Sequence, residues 1–156
     1  MEGPRKKTVI IVGVPGVGKS TIISNATTTL QNKGTTLNKV VFGSVMFEEA
    51  KKLGINDRDQ IRKQTIDVQQ RLQNMTADHI SSLNDSIVVV DTHLFIKTQS
   101  GYYPGLPMNL ILKLNPERLI LITANSEEIL NRRKNDSTRT RDLISEDEIK
   151  RDIEVS

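Results

Sequence analysis

The chain has no cysteine in its 156 residues. Disulfides and thiolate metal sites are therefore excluded, and the composition suits a reducing, cytoplasmic setting. Tryptophan is absent as well, and aromatics make up only 3% of the residues. That leaves no Phe/Tyr platform on which single-stranded nucleic acid could stack. No apolar run approaches the ~18 residues that would cross a bilayer, so no membrane span is expected. The basic start, Met1-Glu2-Gly3-Pro4-Arg5-Lys6-Lys7, leads into a short apolar run rather than a secretory core. Charge of one sign is missing too: 22 basic residues face 19 acidic ones, a net +3. So small an excess suits anionic small molecules and argues little for nucleic acid. No His/Asp/Glu grouping has zinc spacing, and no Ser-His-Asp context points to acyl transfer. The length fits one domain, residues 1–156, with a real core.

What is present is concentrated near the start. Gly13-Val14-Pro15-Gly16-Val17-Gly18-Lys19-Ser20 fits the phosphate-loop pattern G-x-x-x-x-G-K-[ST] at every fixed position. Thr8 to Val12 before it reads as a buried strand. Thr21 to Leu30 after it reads as a helix with Ile22, Ile23, Ala26 and Leu30 on one face. A Gly/Pro turn between strand and helix is the bland alternative, but the fixed residues and both flanks agree on a phosphate loop. The chemistry requires these residue types. Inward-pointing N–H groups make an anion nest, glycines let the backbone approach, and the helix N-terminus adds positive potential. Lys19 brings a cation to the β/γ-phosphates, and the Ser20 hydroxyl can ligate Mg²⁺. The pattern implies binding of a nucleoside triphosphate.

Along the chain, strands alternate with helices. Apolar runs at Lys39–Phe42, Ile87–Asp91 and Arg118–Thr123 read as further strands. Helices are expected at Val45–Leu53, Asp67–Leu83, Met108–Leu114 and Ser126–Lys134. A capping box, Ser145-Glu146-Asp147-Glu148, opens a last helix. Gln99–Pro107 reads as a loop. On the long helix, Val68, Leu72, Met75, His79 and Leu83 form the expected apolar face, with His79 packed. This alternation predicts an α/β fold: a parallel sheet between two helical layers, with ligands at the carboxyl ends of the strands.

Three further features carry chemistry. Asp91 ends an apolar strand downstream of the phosphate loop, where a carboxylate that holds Mg²⁺ or its water is expected. Arg139 and Arg141 lie two apart within the arginine-rich stretch Arg132–Asp142. In an extended segment they would face one side and suit a transferring phosphoryl group. Arg58 and Arg62, four apart, suggest a second anionic substrate. His93, two residues past Asp91, either approaches the phosphates or ends the strand.

These residues together resemble the archaeal-type adenylate kinases. The likeness is carried by the phosphate loop, Phe42-Gly43-Ser44-Val45-Met46-Phe47-Glu48, Asp57-Arg58-Asp59-Gln60-Ile61-Arg62-Lys63 and Val90-Asp91-Thr92-His93. It continues through Gly101-Tyr102-Tyr103-Pro104-Gly105-Leu106-Pro107, Leu114-Asn115-Pro116 and Arg132-Arg133 with Asp136-Ser137-Thr138-Arg139-Thr140-Arg141-Asp142. The resemblance implies a three-layer P-loop fold and reversible Mg²⁺-dependent phosphoryl transfer, ATP + AMP to two ADP. It implies that Gly13 to Thr21 hold the ATP phosphates. A flap at about 42–66, with Phe42, Gly43, Arg58 and Arg62, would bind AMP. A short lid at about 135–143 would carry Arg139 and Arg141, with Lys19 as the third catalytic residue and Ser20 and Asp91 at the metal. A homo-oligomer, by resemblance a trimer, fits the family. Similar proteins continue for several tens of residues, so the expectation is a sheet of four strands without a fifth edge strand. Two other readings stay open: a P-loop ATPase acting on a macromolecular partner, and a nucleotide-binding module without turnover.

Overall fold

The computed structural model describes residues 5–98, 100–136 and 145–156. Four strands form one parallel sheet in the order β2-β3-β1-β6. They are β1 (Lys7–Val12), β2 (Asn38–Val41), β3 (Ile87–Thr92) and β6 (Arg118–Leu121). β1 and β3 alternate cleanly. Ile10, Val12, Val88 and Val90 meet one core, while Ile11 and Val89 meet another on the opposite face. Both faces are covered, which is why these strands read as continuous apolar runs.

The larger core lies under α2 (Phe42–Lys52), α4 (Ile66–Ser82) and α5 (Met108–Leu114). The other face is covered by α1 (Lys19–Asn32), which buries Ile23. The short α3 (Arg58–Arg62) is capped by Asp57, whose carboxylate accepts from the Asp59 N–H. The left-handed Asn115 ends α5, and Pro116 cannot continue it. α6 (Ser126–Asn135) and α7 (Glu146–Val155) close the chain. The Ser145 side chain accepts from the Glu148 N–H, as the capping-box pattern predicts.

Register positions the site. Ile11 lies beside Asp91 and Val12 beside Thr92, while Val41 also lies beside Asp91. The carboxyl ends of the three strands therefore finish in one row. β6 forms the far edge, and its Leu119, Ile120 and Leu121 are exposed.

Several expected details differ. The segment read as a loop at Gln99–Pro107 contains β5 (Gly101–Pro104), paired antiparallel with β4 (Phe95–Thr98). Its Gly/Tyr/Pro content resembles a loop because the hairpin is short and half-exposed. α2 starts at Phe42, which therefore belongs to the helix and not to the preceding strand. The buried face of α4 is Leu72, Gln73, Thr76, Ala77 and Ile80, one step round from the expected one. Polar Gln73 and Thr76 fall on the inner side, and the Thr76 hydroxyl is satisfied by the Leu72 carbonyl at 2.7 Å. His79 is consequently exposed, with Nδ1 3.3 Å from Glu49 Oε1, instead of packed. On α1, Ile22 is exposed and Ile23 is buried, so that face is narrower than the four apolar positions suggest.

Burial on α5 gives a direct test. Leu110 is fully buried, whereas Leu112 on the same helix is 72% exposed. Leu110→Ala should cost about 2–5 kcal/mol and Leu112→Ala no more than about 0.5 kcal/mol, read by chemical denaturation.

Candidate active site

The row of strand ends opens into a cleft of about 610 Å³. Val14 to Ser20 line one end of it, and Asp91 and His93 lie beside them. Gly16 and Gly18 have φ of 90° and 102°, conformations that side chains oppose. Gly13 is required for a different reason: a Cβ there would lie 2.6 Å from the Ile122 carbonyl oxygen. α1 then begins at Lys19 without a side-chain cap or an acidic residue in its first turn. Its leading N–H groups and its positive end are thus left for an anion.

The Lys19 ammonium is buried at the floor. Its Nζ donates to the Gly13 carbonyl at 2.7 Å, lies 3.2 Å from His93 Nδ1 and sits 3.7 Å from Asp91 Oδ1. His93 Nδ1 is also 2.9 Å from the Gly13 oxygen. Lysine and histidine therefore converge on one carbonyl. His93 directly follows the end of β3 and its ring also reaches the first residue of the phosphate loop.

α6 braces the loop from the other side. Arg132 Nη1 donates to Val17 O at 2.8 Å, and Arg133 Nε donates to Pro15 O at 2.8 Å. A small core of Val14, Val17, Ile129 and Ile149 fills the space beneath. Arg133 Nη1 lies 3.9 Å from Asp152, whose other oxygen accepts from the Tyr102 hydroxyl at 2.7 Å. That hydrogen bond pushes the Tyr102 phenol above its ordinary pKa, with burial and the carboxylate charge adding to it.

The opposite end of the cleft is built by α2, α3 and α4. Phe42, Gly43, Arg58 and Arg62 all line it, so the second pair of arginines shares one cavity with the phosphate loop. Arg58 Nη2 donates to Ser44 Oγ at 3.1 Å and its guanidinium lies 5.2 Å from the centre of the Phe47 ring.

Comparison with known proteins agrees with this arrangement. Residues 12–150 match a family profile described as an AAA domain. Over 147 residues the chain is 44% identical to an adenylate kinase of Methanocaldococcus jannaschii, which spans 93% of this chain and 77% of that protein. It is also 44% identical over 145 residues to an adenylate kinase of Pyrococcus abyssi, at 92% and 72% coverage. The chain belongs to the adenylate kinase family. Its class is that of a nucleotide phosphotransferase. Among solved structures, TT1252 from Thermus thermophilus matches 97% of this chain and 80% of its own, with a TM-score of 0.55 and 15% identity, a likeness of fold.

Most of the expected site residues of this adenylate kinase family member meet in the one cleft. Gly13 lies behind the loop as a carbonyl acceptor, and Thr21 is exposed on α1 outside the cleft lining. Arg139 and Arg141 lie outside the described residues. Asn135, the first residue of the expected lid, is the last residue of α6. Sequence reasoning counted Arg132 and Arg133 among the matching motifs but gave them no role, because it weighted the later arginines of the same stretch. Their position on a helix that faces the phosphate loop has no local signal.

The residues fit Mg²⁺. Ser20 and Asp91 both line the phosphate end. Among the described residues no group of three or more His, Cys, Asp and Glu could hold a metal by itself. Mg²⁺ keeps much of its water and takes phosphate oxygens, so few protein ligands are required. Truncating the brace tests its importance. Arg133→Ala should lower stability by about 1–3 kcal/mol, because Pro15 O and Asp152 lose a buried cationic donor. Thermal melts should show the loss, and saturating nucleotide should recover part of it.

Proposed function

We propose that this chain catalyses reversible phosphoryl transfer from ATP to AMP, giving two ADP, with Mg²⁺. One observation carries the reading: Arg58 and Arg62 line the same cleft as the phosphate loop. A single cavity with cationic groups at both ends suits two phosphorylated substrates brought end to end.

Each part then has a role. Val14 to Ser20 cradle the triphosphate, and backbone N–H groups meet its oxygens. Lys19 leaves the Gly13 carbonyl for the β/γ-phosphates, and His93 stays at that carbonyl. An oxygen of the AMP phosphate attacks the γ-phosphorus in line. The bond from the γ-phosphorus to the β,γ-bridging oxygen breaks, and that oxygen stays with the departing ADP. Little covalent work falls on the protein, so catalysis is positioning and charge stabilisation. Ser20 and Asp91, directly or through water, would hold Mg²⁺, which supplies neutralisation of the phosphate charge. Arg58 and Arg62 grip the AMP phosphate within a flap at about 42–66. Arg139 and Arg141 are assigned to a lid at about 135–143. A homo-oligomer, trimeric by family likeness, and a cytoplasmic location belong to the same proposal.

The deciding experiment is coupled detection of ADP with ATP alone and with ATP plus AMP. AMP-dependent ADP formation supports the kinase. Equal ADP formation without AMP would make the chain an ATPase, and none in either case a binding module. Lys19→Ala should reduce turnover at least 100-fold, about 3 kcal/mol of transition-state stabilisation, without loss of the fold. Near-normal turnover in the folded variant would remove Lys19 from the chemistry. Arg58→Ala and Arg62→Ala should each raise KM for AMP roughly tenfold or more and change KM for ATP far less. A change confined to ATP would reverse the assignment of the two ends.

A further inference from the structure

Three atoms at the floor of the cleft form a triangle that no placement of hydrogens satisfies. Lys19 Nζ lies 2.7 Å from the Gly13 carbonyl oxygen, His93 Nδ1 lies 2.9 Å from the same oxygen, and Nζ and Nδ1 lie 3.2 Å apart. A carbonyl oxygen only accepts, and an ammonium only donates. With the proton of neutral His93 on Nδ1, the ring donates to Gly13 and its N–H faces the ammonium, donor to donor. With the proton on Nε2, Nδ1 accepts from Lys19 and faces the carbonyl, acceptor to acceptor. Either tautomer makes two sides of the triangle favourable and leaves the third opposed.

The surroundings decide which corner can move. Gly13 and Lys19 are buried, and Asp91 Oδ1 stands 3.7 Å from Nζ. The backbone beside His93 is pinned, since the Gly105 N–H donates to the Leu94 carbonyl at 2.8 Å. Lysine has a flexible four-carbon stem, so its ammonium is the corner with slack. Taking the ammonium away resolves the triangle, because Nδ1–H then donates to Gly13 with nothing opposed to it. Among the described residues no third donor reaches that oxygen. Without His93, a departing Lys19 would strand a buried carbonyl and so weaken the binding of whatever draws the lysine away.

We propose that His93 is a positioning residue for Lys19. It opposes the ammonium in the nucleotide-free protein and takes over the Gly13 carbonyl when the ammonium moves to the β/γ-phosphates. The assignment rests on the reading of the phosphate loop as the ATP site. In this role His93 needs no contact with the phosphates and gives no proton to the substrate. Its contribution is to ATP affinity, and it is made through Lys19.

Calorimetric titration of the full chain with Mg²⁺-ATP alone, and with AMP alone, reads this without turnover. His93→Ala should weaken ATP binding about fivefold or more, as expected for a buried carbonyl left without a donor, and keep AMP binding within about twofold. His93→Asn puts an amide N–H near the place of Nδ1 and should recover most of the loss. In a Lys19→Met background the carbonyl depends on His93 both before and after binding. There His93→Ala should change ATP affinity less than about twofold. An equal loss in both backgrounds would mean that His93 contacts ATP itself. A lower melting temperature with unchanged ATP affinity would mean a purely structural role. Either result overturns the proposal. Should Lys19→Met not fold, or bind ATP too weakly to titrate, nitrogen-15 spectra of the histidine rings decide. The chain has two histidines, so His79→Gln leaves the His93 signal alone. At mildly alkaline pH with ATP bound, Nδ1 should carry the proton, and an unprotonated Nδ1 overturns the proposal. A chain that binds ATP and transfers no phosphoryl group sinks the kinase reading alone, whereas one that binds no ATP sinks both.

Discussion

The arrangement of the whole active end depends on keeping one ammonium charge out of water. The Lys19 side chain is 8% exposed. An unpartnered buried cation costs several kcal/mol, so the fold must surround it with acceptors. It does so with the Gly13 carbonyl just past the end of β1 and with Asp91 on β3, while the His93 ring packs beside them. Those groups converge only because β1 and β3 are neighbours in a register that sets Ile11 beside Asp91. Strand order is thus a condition for the lysine as much as for the core. Under the proposed function the same enclosure also serves chemistry, since a preorganised cation stabilises developing phosphate charge more than a hydrated one.

A phosphate loop has a second requirement. Its N–H groups must face the anion, so its carbonyls face away and need donors elsewhere. Here Arg132 supplies such a donor to Val17 and Arg133 to Pro15. The arginines are held in turn by the packing of Ile129 and Ile149 under the loop. Asp152 on α7 and Tyr102 on the hairpin extend the support outward. The loop is therefore held by three elements distant in sequence, and α6 leads directly into the stretch with Arg139 and Arg141.

The fold was legible where burial and sequence period coincide. β1 and β3 are covered on both faces, so their apolar runs were unambiguous. The Ser145 capping box placed a helix start by local chemistry alone. The β4–β5 hairpin was not legible, because four-residue strands with one exposed side carry no alternation strong enough to detect. The inner face of α4 was misjudged for a related reason. A hydrophobic count places Met75 and His79 inside, yet Thr76 and Gln73 are buried because each has a backbone carbonyl to bond. The phosphate end was legible because it is a contiguous stretch of fixed residue types. The brace by Arg132 and Arg133 was not, since it exists only once α6 lies against the loop.

That contrast separates the two ends of the cleft. Phosphate recognition uses backbone N–H groups and point charges, which need glycines and a lysine at set spacing and so leave a local pattern. Recognition of a flat, weakly polar group needs buried hydrogen-bonding atoms of fixed orientation, supplied from a helix interior and oriented by a different segment. Gln73 shows how such a side chain is fixed: its burial comes from α4, its orientation from Pro104 at the end of β5. Neither segment carries the information alone. A polar residue on the inner face of an amphipathic helix looks like a flaw in the pattern. When its nitrogen is committed to a backbone carbonyl of another segment, the flaw marks a contact that only the folded chain can form.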